Sequence, residues 1–111
     1  MAVVNLQIAS KPTQFELDTG ADISCLETST ATSLGLNPTA GQQLQMSGVD
    51  GKPIDVYMQN VSCQLPGLPA SMTFPFCIGD IDCLLFGRYG VWNQFSSILE
   101  DQVKQQTVFT L

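Results

Sequence analysis

The sequence has 111 residues, the size of one domain, and it is 44% hydrophobic with only 13% charged residues, where an ordinary globular chain carries about 25%. It can therefore bury a core and does not read as disordered, while a net charge of −6 disfavours nucleic acid and anionic membranes as partners. Histidine is absent, which excludes Ser-His and Cys-His nucleophile pairs, imidazole-ligated zinc and histidine proton shuttles within the chain.

Taken in chain order, strand signals dominate. Val4, Leu6 and Ile8 alternate with Asn5 and Gln7, the period of a half-buried strand. Lys11-Pro12-Thr13 reads as a turn, and Gln14-Phe15-Glu16-Leu17-Asp18 alternates again, so the first two strands form a hairpin. Residues 27–34 are a short helix with Gly35 as its C-cap and Pro38 preventing continuation. Strands over 44–47 and 54–58 flank Gly48-Val49-Asp50-Gly51-Lys52, where Asp50-Gly51 is a strong tight-turn signal. A further strand spans 61–65 and stops at Pro66-Gly67-Leu68-Pro69. Residues 72–78 form a mostly buried strand whose Pro75 suggests an edge or a bulge. Leu84-Leu85-Phe86 is a short apolar run before Gly87-Arg88, residues 89–95 suit a second short helix, and 98–99 with 107–111 close the chain as strands around a polar turn. No internal repeat, linker or low-complexity segment interrupts residues 1–111. The sum is one all-β domain, a small barrel with one or two short helices.

The four cysteines, Cys25, Cys63, Cys77 and Cys83, have long irregular spacings with no Cys-x-x-Cys, so a zinc site is not expected. Two disulfides are arithmetically open, but each cysteine has apolar neighbours. The preferred reading is four buried free thiols in a reducing compartment. No segment has the character of an export signal or the roughly 20 apolar residues of a membrane span. The chain as given is expected to be cytoplasmic, with no membrane contact by this segment.

Three local features carry chemistry. Phe15-Glu16-Leu17-Asp18-Thr19-Gly20-Ala21-Asp22 is an apolar strand that ends in an acid and a glycine turn. Residues 48–51 form a glycine-flanked hairpin tip. Leu84-Leu85-Phe86-Gly87-Arg88 follows about 65 residues downstream of the first feature. An isolated Asp-Thr-Gly is as often a turn acid; the apolar flank, Ala21-Asp22 and the downstream apolar-apolar-Gly-Arg make the difference. In this order and spacing the three segments resemble the retropepsins, the aspartic proteases of retroviral type. In style they are closest to the bacterial retropepsin-like branch, and the likeness runs from about Val4 to Phe95.

The resemblance implies a small closed acid-protease-type barrel with a flap hairpin over 44–58, and it implies peptide-bond hydrolysis by paired carboxylates. Asp18 would be the catalytic acid, with Thr19 bonding across to a partner loop and Gly20 letting the backbone turn close to the site. Two carboxylates about 3 Å apart cannot both ionise, so one activates water while the other donates a proton. Ala21 and Asp22 with Gly48, Val49, Asp50 and Gly51 would contact the substrate. Leu85, Phe86 and Gly87 would support the loop, and Arg88, the only arginine, would bind Asp22 in bidentate fashion.

The Asp-Thr-Gly triplet occurs once, so one chain supplies half a site and the implied enzyme is a symmetric homodimer acting on a peptide or protein. No metal or cofactor is called for. Asp50 puts a charge where such a tip is usually apolar, and Pro53 removes a backbone donor nearby. Residues 96–111 continue past the point where retroviral relatives end. Those departures leave a second reading, a catalytically silent module of the same fold that dimerises or binds peptide without cutting it.

Overall fold

The computed structural model describes residues 3–17, 20–47, 50–81, 84–101, 103–104 and 106–111, with Glu100 and Asp101 described by backbone alone. The sequence-level expectations for Asp18, Thr19, Gly48, Val49 and Cys83 lie outside the described residues. Strands β1 (Val3–Ile8), β2 (Lys11–Leu17), β3 (Ser24–Glu27), β4 (Gln42–Ser47), β5 (Pro53–Cys63), β6 (Met72–Gly79) and β7 (Leu85–Phe86) form one sheet. Its strand order is β1-β2-β7-β3-β6-β5-β4. Helix α1 (Thr28–Ser33) follows β3, and β8 (Ser97–Asp101) pairs with β9 (Gln106–Thr110) as a separate two-stranded sheet.

The sheet curls back on itself. Gln7 of β1 and Gln64, one residue past β5, exchange backbone hydrogen bonds of 3.0 and 2.9 Å. That bridge returns β1 to the far end of β5, so six strands wrap around the core and β4 is left projecting with the first half of β5. β1 shows why the first strand forms: Val4, Leu6 and Ile8 are buried and Val3, Asn5 and Gln7 exposed, the alternation expected of a strand with one wet face.

All six phenylalanines join one core. Phe86 lies at its centre, with ring centroids 5.1 Å from Phe74 and 6.2 Å from both Phe76 and Phe109. Phe15 packs on Phe76 at 5.5 Å, and Phe95 bridges Phe74 and Phe109 at 6.3 and 5.1 Å. Offset and edge-on ring contacts of this kind add to the area they bury.

Three local expectations are corrected. The first hairpin turns at Ala9-Ser10, with φ of 52° and 66°, and Lys11-Pro12-Thr13 already belongs to β2. Two consecutive left-handed residues fit the right-handed twist of a two-residue hairpin, and Ala is a poor signal for them. The strands expected at 54–58 and 61–65 are one strand, β5. Ile54, Val56 and Met58 point to one face, Val61 and Cys63 to the other, so the apolar phase shifts at Gln59-Asn60 while the backbone continues. The second helix is a single 3-10 turn over Trp92–Gln94. Pro75 sits one residue before Phe76, where β3 begins to pair with β6, so it occupies a local edge.

Cys25, Cys63 and Cys77 are buried. Desolvation pushes the Cys63 thiol up to about 12 from an ordinary 9.0. Among the described residues no helix is long and apolar enough to cross a membrane.

Two outcomes follow from the core. Phe86→Ala removes the ring that touches three others and is expected to lower unfolding free energy by about 3–5 kcal/mol, read from urea denaturation. Between about pH 9 and 12 the unfolded chain loses the Cys63 proton and the folded chain keeps it, so the native state loses stability as pH rises. Over that range the stability gap between wild type and Cys63→Ala narrows by up to about 1.4 kcal/mol per pH unit, measured by denaturant titrations at stepped pH.

Candidate active site

The site region is built where β7 enters the sheet between two strands that are consecutive in the chain. β2 runs parallel to β7, with Glu16 beside Leu85 and Leu17 beside Phe86, while β3 runs antiparallel to it through Cys25 and Leu85. The segment 18–23 joins β2 to β3 and must pass around the end of β7. Within it, Ala21 to Ile23 lie against Gly87, Arg88 and Tyr89.

The approach is so close that no side chain fits at Gly87. A Cβ there would stand 2.8 Å from the carbonyl carbon of Ile23 and 2.9 Å from the carbonyl oxygens of Ala21 and Ile23, all backbone atoms. The Gly87 N–H donates to Ser24 Oγ at 2.9 Å, and Ser24 is fully buried. Arg88 N–H donates to the Ala21 carbonyl at 3.1 Å and Tyr89 N–H to the Asp22 carbonyl at 2.7 Å. Three hydrogen bonds from three successive amides thus hold the loop, one through a side chain and two through backbone.

The Arg88 guanidinium also meets Asp22 through one nitrogen and one carboxylate oxygen, rather than the expected bidentate fork. Both side chains are largely in water, so the pair is worth at most about 1 kcal/mol. Its contribution is orientation of the Asp22 carboxylate more than stability.

A second apolar cluster faces away from the main core. Cys25, Val56 and Cys77 are buried there, with Met46, Ile54, Met58, Ile81 and Leu85 packed against them. Register explains it: Met58 lies opposite Cys77, Cys77 beside Cys25, and Cys25 opposite Leu85, one row across four strands. The row joins the root of the β4–β5 hairpin to the strand beneath the loop. Towards the hairpin tip, Asp50 Oδ1 accepts the Lys52 N–H at 3.0 Å, and Gly51 takes φ +80° with open space around it. The Asp50 carboxylate is therefore engaged in the turn itself, a local use that Asp favours.

The comparisons with known proteins bear on this arrangement. A family model described as aspartyl protease matches residues 4–85. The chain belongs to the aspartyl protease family. Within it the likeness is to the retropepsins: EIAV protease, solved in complex with the inhibitor HBY-793, superposes with a TM-score of 0.63 at 24% identity. The alignment covers 83% of this chain and 86% of that one. At that identity the structural likeness speaks for the fold. No curated protein matches.

Of the residues expected to form the aspartyl protease site, Ala21, Asp22, Gly87 and Arg88 are in direct contact. Phe86 anchors them from the core side, and Leu85 belongs to the second cluster. Asp50 and Gly51 sit at the end of the projecting hairpin, with no described contact to the loop. Sequence reasoning missed Ser24. Its signal was a lone hydroxyl in the apolar run Ile23-Ser24-Cys25-Leu26, where burial demands a partner.

Gly87→Ala is expected to displace the 21–23 backbone and to lower both stability and any loop-dependent activity. Ser24→Ala leaves the Gly87 N–H unsatisfied and costs about 1–3 kcal/mol, while Arg88→Ala costs at most about 1 kcal/mol. Urea denaturation of the three variants checks that order.

Proposed function

We propose that the protein is an aspartic endopeptidase, a single domain over residues 1–111, that acts as a symmetric homodimer. The observation that carries this reading is the single Asp-Thr-Gly of an aspartyl protease family member, placed in sequence on the β2–β3 segment whose other end is pinned by Gly87, Arg88 and Tyr89. Two copies of Asp18 meet on the two-fold axis and hold a water between them. Thr19 and Gly20 shape that loop. Ala21 and Asp22 face the bound peptide backbone, and Arg88 keeps the Asp22 carboxylate in place.

The reaction needs no metal or cofactor. The ionised Asp18 takes a proton from water as its oxygen attacks the scissile carbonyl carbon. The protonated Asp18 gives its proton to the carbonyl oxygen, and a tetrahedral diol results. Collapse re-forms the carbonyl, passes a proton to the amide nitrogen and breaks the C–N bond. One proton shared by two close acids splits their titrations, so cleavage is confined to the pH window in which the pair carries one proton.

The β4–β5 hairpin acts as the flap, with Gly48, Val49, Asp50 and Gly51 at its tip over an extended peptide. Local capping of Asp50 by Lys52 N–H supports this role, because it keeps the charge within the turn. The second apolar cluster, with Ile54 and Leu85, supplies an apolar wall, so substrates with apolar side chains near the cut are expected.

The test is cleavage of an unstructured protein at about pH 4 to 6. Wild type is expected to cut, Asp18→Asn to lose at least about a thousandfold in rate, and a statine-type transition-state mimic to inhibit. Equal cleavage by wild type and Asp18→Asn would overturn the reading. A dimer that binds peptide and never cuts it would establish the silent module instead.

A further inference from the structure

We infer that the outer edge of β1 is a strand-addition site, where an extended, uncharged segment of a partner polypeptide pairs with Val3 and Asn5. The inference goes beyond the protease reading and does not depend on it. The direction of the backbone groups along β1 is fixed at both ends. Gln7 exchanges backbone hydrogen bonds with Gln64, so its amide and carbonyl point away from β2. Glu16, the β2 residue opposite Val3, donates its N–H to the Leu84 carbonyl at 2.9 Å instead. In an antiparallel pair inward and outward residues alternate, so Val4, Leu6 and Ile8 bond β2 while Val3, Asn5 and Gln7 face the other way. Among the described residues Gln64 serves Gln7, and no backbone group serves Val3 or Asn5 on that side.

The sequence leaves this edge open. Continued antiparallel pairing from Gln7 and Gln64 would set residue 66 opposite Asn5, and residue 66 is a proline with no N–H to give. Pro66-Gly67 turns the chain away: the Leu68 N–H bonds the Leu65 carbonyl at 3.2 Å, and Gly67 takes φ +79°. A groove of about 430 Å³ remains between Val3–Asn5 and the facing strand β9, with Pro66 and Gly67 in its wall. A second groove, of about 740 Å³, shares Asn5, Pro66 and Gly67 with the first and continues along Gln7 and Gln64. Both volumes are in the range of clefts that hold ligands.

The lining selects the occupant. None of the described residues lining either groove is charged, in a chain of net charge −6. An ion, a nucleic acid or a charged cofactor finds no counter-charge there. What the edge offers is backbone donors and acceptors about 7 Å apart, the repeat of another strand. Exposed edges are ordinarily guarded by a lysine, a proline or a bulge, and Val3 to Leu6 carries none of these. An extended peptide answers both features. Its main chain bonds Val3 and Asn5, and alternate apolar side chains rest on Pro66 and on Val3, which is 44% exposed.

The experiment selects binders to the full chain from a display library of random peptides about six residues long, the length of an ordinary strand. The best is made as an end-blocked synthetic peptide and measured by calorimetry and backbone hydrogen exchange. In the free protein the Asn5 amide is expected to exchange quickly and that of Leu6 slowly; with peptide the Asn5 amide gains at least about tenfold protection. Asn5→Pro deletes the outward donor and leaves the β1–β2 bonds in place. It is expected to raise the peptide's dissociation constant at least about tenfold, and salt between about 0.05 and 0.5 M to change it less than about twofold. Failure to select any binding peptide, or binding indifferent to Asn5→Pro, overturns the inference. A peptide displaced by the statine-type mimic sits in the protease cleft, which overturns this site and favours the protease reading. Asn5 protection that grows with protein concentration in the absence of peptide gives the edge to a second copy and overturns the partner segment. Should Asn5→Pro not fold, methylation of the peptide's amide nitrogens one at a time decides: loss of binding at every second position supports strand addition, and equal tolerance at all positions overturns it.

Discussion

The contact on which the rest depends is the one between Gly87 and the backbone of Ala21 and Ile23. At under 3 Å from any added Cβ, these atoms can approach only a glycine, and that approach fixes where β7 ends and where the β2–β3 segment turns. The neighbours of Gly87 are each committed to a different layer. Leu85 faces the second cluster, Phe86 is the hub of the aromatic core, and the amides of Arg88 and Tyr89 hold Ala21 and Asp22. Within five residues the strand joins core, sheet and loop. A core perturbation at Phe86 is therefore also a perturbation of the site.

That junction works because the sheet has two buried faces. Most strands show one wet face, but β6 is almost continuously buried from Phe74 to Gly79, since Phe74, Phe76 and Ile78 feed the core while Cys77 feeds the outer cluster. β5 does the same in sequence rather than in alternation. Its first half lends Ile54, Val56 and Met58 to the hairpin root, and its second half lends Val61 and Cys63 to the core. One rigid strand thus couples the projecting hairpin to the closed part of the barrel. Sulfur and aliphatic side chains in the outer cluster are adaptable packers.

These features explain what was legible in the sequence. The first strand, helix α1, the Asp50-Gly51 turn and the closing hairpin all rest on local rules, alternation, capping and turn chemistry, and all are found. The order of Asp18, the hairpin tip and Gly87-Arg88 identified the family, and of these Gly87-Arg88 is the part seen in the junction with Ala21 to Ile23. What stayed hidden was tertiary. The Ala9-Ser10 turn lacks the Asn-Gly chemistry that announces such turns, and its conformation is imposed by register between β1 and β2. β5 looked like two strands because a change of face mimics a break. Ser24 looked like an ordinary strand residue because its partner, the Gly87 amide, is 63 positions away in the chain.

The charge balance bears on how two such chains would associate in the proposed homodimer. Each carries −6, so a homodimer carries twice that, and net Coulomb energy opposes the contact. At physiological ionic strength that repulsion fades beyond about 8 Å, and what remains must be outweighed by apolar area removed from water. With so few charges to arrange into complementary pairs, the chain has little electrostatic means of choosing a partner. Association then depends on shape and on where its exposed apolar side chains lie. The hairpin is anchored to the same aromatic hub as β7, through Phe109 and Phe86. Any displacement of that hairpin is thereby passed, through one ring contact and one strand, to the loop that carries Ala21 and Asp22.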